Sequence, residues 1–530
     1  MRLDMSDSDI TVRISPGIPV LEREASPAAS MKPESFAPQR SERAALLQQI
    51  FSFPALLGAV LVAAAATSAR AFSLDPDVWW HLKSGEAILT THHWPTADPY
   101  SFTVAGQYWL SYEWLGDVML ATAWRMGGLV AFGLLLTILS GAIILALYAL
   151  GTMRSRNSKA GFVAAAMLFV PAAASFNLRP QMLGYLFIVL TLIILERFRM
   201  GKRAAVWLLP ALMLVWINAH GSWIIGLGTI AVYLACGLVE FRVGAIEARR
   251  WNGPDRLSLS IVLALSTVVT LITPYGAGLA KYPFEVASSL PISIGNIQEW
   301  QPMPFDTSLG KVFLFLFLGF VLLQVTFQFT WRLEELGLFL FATTMACIHV
   351  RFLMLFVPFF VPLLAVTLAR WLPTYQRAKD KYLLNAVLML AILAIVVRYF
   401  PSKASLERTI EGRFPVGAVA YLNDHSVPGP MYNAYFFGGY LVWSWAPGRK
   451  VFIDGRSELY ERGGVIGDVV NVMDIRPDAL AILKKYGVQS CLLLRDEPLA
   501  TVLAAMPDWK QEYEDQTSIL FVRRSAGNAD

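Results

Sequence analysis

Two carboxylates and an imidazole lie within seven residues of one another, directly after the first long apolar run of the chain. The segment is Asp75-Pro76-Asp77-Val78-Trp79-Trp80-His81. Charged groups are costly next to lipid, so ionisable residues at such a position are candidates for function. A carboxylate there can act as a general base or bind a metal ion. We therefore expect a site in which Asp75 or Asp77 is the catalytic base.

Glu113 and Asp117 continue the acidic character of the same polar loop. Their spacing of four residues places both on one face of a helix. We predict that Glu113 assists as a second acid, and the alternative is that the two carboxylates only form a solvated face. The alternative for Asp77 is an N-cap of the helix that follows it. The alternative for Trp79 and Trp80 is a place in the interfacial aromatic belt.

Arginine and histidine recur at the ends of other apolar runs. Arg179 precedes a proline, Arg351 follows His349 by two residues between two apolar runs, and His220 lies at a tight turn. The planar guanidinium suits bidentate binding of phosphate. We predict that both arginines bind phosphate and that His81, His220 and His349 contribute to substrate binding. The alternatives are arginines that extend to lipid headgroups and histidines that are structural.

Composition limits the class of protein. Of the 530 residues, 56% are hydrophobic and 16% are charged, which is typical of a chain that crosses a membrane several times. The net charge of +5 comes from short basic clusters between apolar runs, so we expect no nucleic-acid surface. Three widely separated cysteines give neither a disulfide framework nor metal-ligand spacing.

The apolar runs predict a polytopic α-helical membrane protein with about eleven transmembrane helices. The first run is expected to be an uncleaved helix, because it is longer than the apolar part of a signal peptide and follows a long tail. The predicted spans are 51–72, 129–151, 160–177, 181–197, 204–219, 222–241, 257–274, 311–330, 334–350, 352–371 and 383–400.

The distribution of Lys and Arg predicts the orientation. The loops 152–159, 197–203, 242–256 and 370–382 are basic, so they should be cytoplasmic. The first loop, 73–116, and the tail after residue 400 are then outside. A set of polar residues near span ends maps to the outer face, and we interpret it as one shared site rather than as unrelated loop residues. The set is Asp75, Asp77, His81, Glu113, Asp117, Arg179, His220, Glu299, His349 and Arg351.

Three regions are predicted along the chain. Residues 1–48 are a disordered cytoplasmic tail, residues 49–400 form the transmembrane domain, and residues 401–530 form a periplasmic α/β domain. In the last region we expect strands at Lys450–Asp454, Ser490–Leu494 and Ser518–Arg523, and a helix at Asp478–Tyr486.

The motifs point to a lipid-linked donor. No nucleotide-binding motif is present, and nucleotide sugars are on the cytoplasmic side, away from the predicted site. A carboxylate would deprotonate an acceptor hydroxyl, and arginines would stabilise the departing lipid phosphate. The sequence leaves open whether a divalent cation, Mg²⁺ or Mn²⁺, takes part. Asp75 and Asp77 are the candidate ligands if one does.

The sequence from about residue 73 to residue 523 resembles a group of bacterial multi-spanning proteins related to the GT-C glycosyltransferases. That superfamily includes protein O-mannosyltransferases, aminoarabinose transferases and oligosaccharyltransferases. The motifs that carry the resemblance are Asp75–Leu82, Pro95–Thr103, Tyr112–Leu115, Arg179-Pro180-Gln181, Asn218–Gly221, Glu299–Pro302, Gly438-Gly439-Tyr440 and Ile453–Arg456.

The resemblance implies a polyprenyl-phosphate-linked sugar donor and an inverting transfer on the outer face. It also implies a catalytic acid in the first outer loop, which corresponds to Asp75 or Asp77. The oligosaccharyltransferase signature Trp-Trp-Asp-Tyr-Gly is absent, and the nearest sequence is Trp443-Ser444-Trp445-Ala446. This argues against N-glycosylation.

We therefore expect a GT-C-like glycosyltransferase of the bacterial inner membrane. Its partners would be the lipid-linked donor, a glycan, lipid or protein acceptor, and membrane lipids. One alternative is a polysaccharide polymerase or ligase that acts on lipid-linked glycans. Others are a lipid or glycan transporter and a non-catalytic assembly protein. A transporter should show internal repeats and ionisable groups at mid-membrane, and neither is evident in the sequence.

Overall fold

The computed structural model describes residues 42–68, 75–289, 291–327 and 329–524. Most of the predicted disordered tail, 1–48, lies outside the described residues, and its last residues from Glu42 begin a short helix. The boundary between the first span and the first loop, 69–74, also lies outside them. The division into domains at residues 48 and 400 stays a prediction.

Helices make up most of the described chain before residue 400. The α-helices there are α1 Glu42–Ile50, α2 Phe53–Ser68, α3 Asp77–Thr91, α4 Trp114–Ser155, α5 Ser158–Met167, α6 Phe169–Ala173, α7 Gln181–Arg199, α8 Leu209–Ala219, α9 Trp223–Cys236, α10 Gly253–Val268, α11 Gly278–Ser289, α12 Pro291–Asn296, α13 Ser308–Thr326, α14 Leu333–Ile348, α15 Leu353–Leu368 and α16 Tyr382–Tyr399. Short 3₁₀ helices join several of them, including Gln298–Trp300 and Val350–Phe352.

The chain is a helical membrane protein. Within the described residues, six helical segments are long and apolar enough to cross a membrane, and they are Trp114–Ser155, Gln181–Arg199, Gly253–Leu271, Ser308–Thr326, Val350–Leu368 and Tyr382–Tyr399. Shorter apolar helices lie at Phe53–Thr67, Arg203–Ala219 and Trp223–Cys236. The predicted span 160–177 is divided between α5 and α6, and α14 has 16 residues. The count of eleven spans therefore stays a prediction.

Helix α4 is interrupted where the predicted second span begins. Gly127 and Gly128 have non-helical backbone angles, and the φ of Gly128 is +55°, a conformation that glycine adopts at little cost. The part before this kink carries the acidic residues of the first loop. The longer part after it matches the predicted span 129–151 and packs in the apolar core through Phe132, Ile143 and Leu147.

The chain after residue 400 contains both helices and strands. Its α-helices are α17 Lys403–Glu411, α18 Val416–Asp424, α19 Gly438–Trp445, α20 Ser457–Arg462, α21 Val465–Met473, α22 Ala479–Lys485 and α23 Pro498–Ala504. Its strands are β4 Met431–Asn433, β5 Ser490–Leu494, β6 Trp509–Glu514 and β7 Ser518–Arg523. They form a mixed sheet in the order β4-β5-β7-β6, in which only the β4–β5 pair is parallel.

Two of the three predicted strands after residue 400 are confirmed at their predicted bounds, and the third is wrong. Lys450–Asp454 is not a strand of the sheet. Its residue Val451 instead makes a single bridge to Ser101 in the first loop, where Val451 N donates to the Tyr100 carbonyl at 3.0 Å. The backbone of Val451 therefore pairs with the first loop rather than with the sheet.

A second, small sheet lies at the basic ends of the helices. Its strands are β1 Phe241–Val243, β2 Ile246–Ala248 and β3 Trp331–Arg332. The β1–β2 pair is antiparallel and β2 pairs with β3 in parallel. This sheet connects the loop after α9 to the start of α14.

Candidate functional site

Arg179 gathers three carboxylates from distant parts of the chain. Its Nε lies 3.1 Å from Asp75 Oδ1 and its Nη1 lies 2.7 Å from Glu299 Oε1, while its Nη2 forms an ion pair with Asp77 Oδ2. Arg179 precedes α7, the two aspartates begin α3, and Glu299 lies in the 3₁₀ helix Gln298–Trp300. We call these four residues the arginine cluster. Each of its three guanidinium nitrogens contacts a protein carboxylate.

Asp77 is the first residue of α3 and does not cap it, so the alternative of a capping role for Asp77 is wrong. The carboxylate that accepts from the helix is that of Asp75, whose Oδ1 receives the Asp77 N–H at 3.0 Å. The Asp77 carboxylate turns to Arg179 instead.

The surroundings of Asp75 and Glu299 shift the pKa values of the two carboxyl groups in opposite directions. Burial raises the pKa of Asp75 above its usual value, and the charge of Arg179 opposes this. For Glu299, burial would raise the pKa, but the charges of Arg179 and Arg351 and the hydrogen bond from Arg179 outweigh it, so the pKa is lowered. Glu299 is therefore the firmly ionised partner of the arginine.

Four further residues form a buried line of acids and imidazoles. Asp117 Oδ1 lies 2.6 Å from His81 Nδ1, His81 Nε2 lies 3.4 Å from Glu113 Oε2, and Glu113 Oε1 lies 3.2 Å from His220 Nε2. We call Asp117, His81, Glu113 and His220 the histidine chain. Helix α3 links it to the arginine cluster, because Asp77 and His81 lie four residues apart on one face.

Hydrogen-bond partners indicate where the protons of the histidine chain lie. The backbone N–H of Ser222 donates to His220 Nδ1 at 3.0 Å, so a neutral His220 carries its proton on Nε2 and donates it to Glu113. Burial, followed by the charge of Arg351, lowers the pKa of His220 to about 3, which keeps it neutral. A neutral His81 that donates from Nδ1 to Asp117 has a free lone pair on Nε2, facing Glu113.

The surroundings of Glu113 strongly disfavour ionisation of its carboxyl group. Burial raises its pKa well above the usual value, and the charge of Asp117 adds to this, while Arg351 opposes it. Glu113 and Asp117 are 8% and 0% exposed. The alternative that they form a solvated face is therefore wrong, because the rest of the protein covers the start of α4.

The paired tryptophans lie in the protein interior rather than in an outward aromatic belt. Trp79 is 1% exposed and packs against Trp443, at 4.8 Å between ring centroids, and against Tyr440, at 5.1 Å. Trp80 stacks on the imidazole of His81, with ring centroids 3.6 Å apart. Trp79 therefore fixes α3 against helix α19, and Trp80 supports the imidazole of His81 within α3.

Arg351 faces a cavity of about 70 Å³ that also contains His220, Trp216, Gln181 and Tyr185. Its guanidinium lies over the ring of Trp300, 4.1 Å from the centroid. Among the described residues, no carboxylate forms an ion pair with Arg351 and no acceptor takes a hydrogen bond from it. Unlike Arg179, it therefore has donors available for a ligand.

His349 positions the residues around Arg351. Its Nδ1 is hydrogen-bonded to the carbonyl of Trp300, the residue whose ring supports the guanidinium. The backbone N–H of Val350 also donates to the Gln301 carbonyl at 2.9 Å. These bonds tie the segment with Glu299 to the segment with Arg351. The predicted substrate-binding role of His349 stays a prediction, and its observed contacts are with the protein.

The chain after residue 400 packs directly onto the first aspartates. A Cβ on Gly439 would overlap the carbonyl oxygen of Pro76, and a Cβ on Gly455 would overlap Asp77 Oδ1. Only glycine allows these approaches without displacement. The two glycine motifs noted in the sequence therefore mark the places where this part of the chain covers the arginine cluster.

A buried arginine links the part of the chain after residue 400 to the first loop. Arg456 is fully buried and bonds Asp454 through two nitrogens at 2.8 and 2.7 Å, and its Nη2 lies 2.8 Å from Asp98 Oδ1. Tyr460 donates its hydroxyl to Asp454 at 2.7 Å. The guanidinium also lies over Trp109, 4.6 Å from the ring centroid. Asp98 and Asp454 thus serve structure, not the reacting centre.

The residues present do not fit a metal centre. Asp75 and Asp77, the predicted ligands, both bond Arg179, and a cation could take both only by displacing the guanidinium. In the described ranges, no group of three His, Cys, Asp or Glu side chains is arranged to hold a metal ion.

The structure brings all eight predicted residues to one region, and it adds several that the prediction omitted. Ser111 donates to Asp117 Oδ2, and Ser222 fixes the His220 tautomer. Trp216 Nε1 donates to Ser222 Oγ at 3.0 Å. Asp117 was already in the predicted set of polar residues on the outer face, whereas no sequence signal pointed to the two serines.

Several solved structures are similar to this chain at low sequence identity. The oligosaccharyltransferase of Archaeoglobus fulgidus, tethered with an acceptor peptide, is 12% identical with a TM-score of 0.48, covering 88% of this chain and 74% of its own. AglB of the same organism, with an inhibitory peptide and a dolichol-phosphate, is 11% identical with a TM-score of 0.46, covering 89% and 74%. ArnT from Cupriavidus metallidurans, bound to undecaprenyl phosphate, is 14% identical with a TM-score of 0.44, covering 88% and 98%. No protein-family model matches the sequence, and no curated protein does. At these scores the similarity assigns no activity to the chain.

Proposed function

We propose that this protein is a membrane glycosyltransferase that transfers a sugar from a polyprenyl-phosphate donor to an acceptor on the outer face of the bacterial inner membrane. The observation that carries the proposal is the position of Glu113. This buried carboxylate lies between two imidazoles, beside a cavity that holds an arginine with available donors. That combination supplies a base for a hydroxyl and a cation for a phosphate.

The proposed orientation in the membrane is based on the charges at the two ends of α4 and α7. Glu113 and Asp117 lie at the start of α4, and Arg154 lies in its last turn. Arg179 precedes α7, and Arg197 and Arg199 end it. With the basic ends in the cytoplasm, the N-terminus is cytoplasmic, and the candidate site and the chain after residue 400 are periplasmic.

Arg351 is proposed to hold the phosphate of the donor. A guanidinium can place two parallel N–H bonds on a phosphate and keeps its charge at all relevant pH values. As the bond between the anomeric carbon and the phosphate oxygen breaks, negative charge grows on the leaving phosphate, and Arg351 would stabilise it. Trp300 and His349 keep the guanidinium in place for this task.

Glu113 is proposed as the base. It takes the proton of the acceptor hydroxyl while the acceptor oxygen attacks the anomeric carbon from the face opposite the phosphate, so the configuration inverts. The proton then resides on Glu113, from which it can pass to Nε2 of His81, and Asp117 stabilises the resulting imidazolium. The polyprenyl phosphate leaves with the electron pair of the broken bond. His220 holds the other oxygen of Glu113 throughout.

Asp75 and Asp77 are the competing candidates for the base. Each is bonded to Arg179 through one carboxylate oxygen, so protonation of either would weaken that ion pair. We propose instead that they, together with Glu299, hold Arg179 and thereby fix the start of α7 against α3. Arg179 would contribute to the donor site through its position and field rather than by direct contact with phosphate.

A second cavity on the same side suits the acceptor. It has a volume of about 190 Å³ and is lined by Tyr108, Trp109, Tyr282, Lys281 and Glu458, among others. Tyr282 stacks on Tyr112, the neighbour of Glu113, with ring centroids 3.9 Å apart. Aromatic faces with a few polar groups are typical of a site for a small organic ligand. A glycan acceptor fits this lining best.

Donor turnover by the purified full-length protein tests the proposal. A panel of polyprenyl-phosphate sugars is offered with a mixture of glycan, lipid and peptide acceptors, and released polyprenyl phosphate is measured. We expect release with at least one donor, lost in Glu113→Gln and retained in Glu86→Gln, which changes a partly exposed glutamate on α3 outside the histidine chain. Movement of an intact lipid-linked sugar across vesicles without release would show a transporter instead.

A further inference from the structure

A large cavity lies at the opposite ends of the helices that carry the candidate site. Its volume is about 540 Å³, which lies in the range of small-molecule binding sites. Helix α7 has 19 residues, which places the two sites about 28 Å apart along its axis. The cavity is therefore separate from the histidine chain and the arginine cluster.

Arginines dominate the lining of this cavity. They come from the ends of α4, α7 and α15 and from the small sheet β1-β2-β3. The arginines that line it are Arg154, Arg156, Arg199, Arg249, Arg332 and Arg370.

Glutamates neutralise only part of this charge. Arg154 bonds Glu335 through Nε at 2.5 Å and Nη2 at 3.1 Å, and Arg332 lies 2.8 Å from Glu196. Arg199 pairs with Glu334, and Arg249 pairs with Glu247. Four of the six lining arginines therefore pair with a glutamate, and the charge of Arg156 is left without a carboxylate partner in the described chain.

Some donors in the cavity have no acceptor among the described residues. Arg199 Nε is buried without a hydrogen-bond partner, although its guanidinium lies over the ring of Trp251 at 4.6 Å. No carboxylate of the described chain forms an ion pair with Arg156. A buried donor that lacks an acceptor costs stability. Ion pairing inside the protein therefore does not account for the whole cluster, and an external anion would.

We infer that this cavity binds a phosphate group. Several guanidinium groups around one cavity can bond several oxygens of one phosphate and match its charge. The position at the basic ends of membrane helices is where anionic headgroups lie. The phosphate is carried either by a membrane phospholipid or by a soluble phosphate compound. The inference does not depend on the reaction proposed for the other face.

Two binding measurements on the full-length protein test the inference and separate the two sources. Native mass spectrometry after incubation with mixed micelles of cardiolipin or phosphatidylglycerol reports bound lipid. Calorimetric titration with inorganic phosphate in micelles free of anionic lipid reports a soluble ligand. The test variant is Arg156→Gln/Arg370→Gln, and Arg156→Gln alone serves if the double variant does not fold. The matched control is Arg203→Gln, a largely exposed arginine that pairs with Asp255 outside the cavity.

The expected result is saturable binding in one of the two measurements. Its affinity should fall at least about tenfold in the double variant, and by a smaller factor in Arg156→Gln, because each charge-assisted bond to phosphate is lost. Arg203→Gln should bind as the unmodified protein does. The absence of binding in both measurements, or an equal loss in the control, would overturn the inference.

Discussion

His220 holds Glu113 from one side: its Nε2 lies 3.2 Å from Glu113 Oε1, while Nδ1 is taken by the backbone of Ser222. The imidazole can therefore only donate to the carboxylate. The other oxygen, Oε2, lies 3.4 Å from Nε2 of His81, so a proton taken up there can pass to His81. This one-way arrangement is what distinguishes Glu113 from the other acids of the site.

Asp117→Asn tests whether the histidine chain acts as a unit. The amide nitrogen would face His81 Nδ1 as a donor and favour the tautomer with its proton on Nε2, so His81 could no longer accept from Glu113. We expect kcat to fall about 10²-fold or more with KM for the donor nearly unchanged. The pH profile of kcat should also change, which a purely structural role of Asp117 would not produce. An unchanged profile with normal kcat would show that His81 does not relay the proton.

The pH dependence of turnover should reflect the burial of Glu113. The base acts only when it is deprotonated, and burial raises its pKa, so activity should be lost as the pH falls through a value well above that of an ordinary glutamate. His220, with its pKa lowered to about 3, should not contribute a transition near neutral pH. The measurement is kcat/KM against pH. An acid limb at the position of an ordinary glutamate would contradict the assignment.

Arg351→Gln should impair the step in which the phosphate leaves. Loss of one preorganised cation at a developing charge typically reduces kcat by about 10²- to 10³-fold, and Arg351→Lys should recover only part, because lysine cannot form the bidentate bond. Steady-state kinetics with a turned-over donor provides the check. Arg125→Gln, which removes an exposed bond to Thr90, is the matched control. Equal kinetics for the two glutamine variants would exclude Arg351 from the donor site.

Gly455→Ala tests the contact between the C-terminal part of the chain and the arginine cluster. The added Cβ would overlap Asp77 Oδ1, so either the loop or the aspartate must shift, and turnover should fall by about tenfold or more. Gly467→Ala is the matched control in the same part of the chain, because a Cβ there meets only Ile292 at ordinary contact distance. Equal activity of the two variants would mean that the contact between the C-terminal part of the chain and Asp77 does not position the site.

The sequence predicted which residues come together in the site better than it predicted which side chains bond to one another. Charge asymmetry between loops placed Asp75, Glu113, Arg179 and Arg351 on one face, because a helix that spans a membrane fixes which loops meet. It did not reveal that Arg179 bonds both aspartates, since such a choice depends on side-chain geometry between distant helices.

The same limit explains the error at Lys450–Asp454. The segment was predicted to be a strand, but its residue Val451 makes a single bridge, with hydrogen bonds to Tyr100 and Phe102 in the first loop. Local patterns determine backbone conformation, whereas the partner is set by long-range packing. Arg456 shows this as well, because its partner Asp98 lies in a motif far away in the chain.

The central claim, that Glu113 rather than Asp75 or Asp77 is the base, is tested most directly by comparing donor turnover of Glu113→Gln, Asp75→Asn and Asp77→Asn. Each change keeps the shape of the side chain and removes its basicity. We predict that Glu113→Gln loses turnover by about 10²- to 10⁴-fold, while each asparagine variant stays within about tenfold of the unmodified protein. Normal turnover by Glu113→Gln, together with loss in one asparagine variant, would contradict the account.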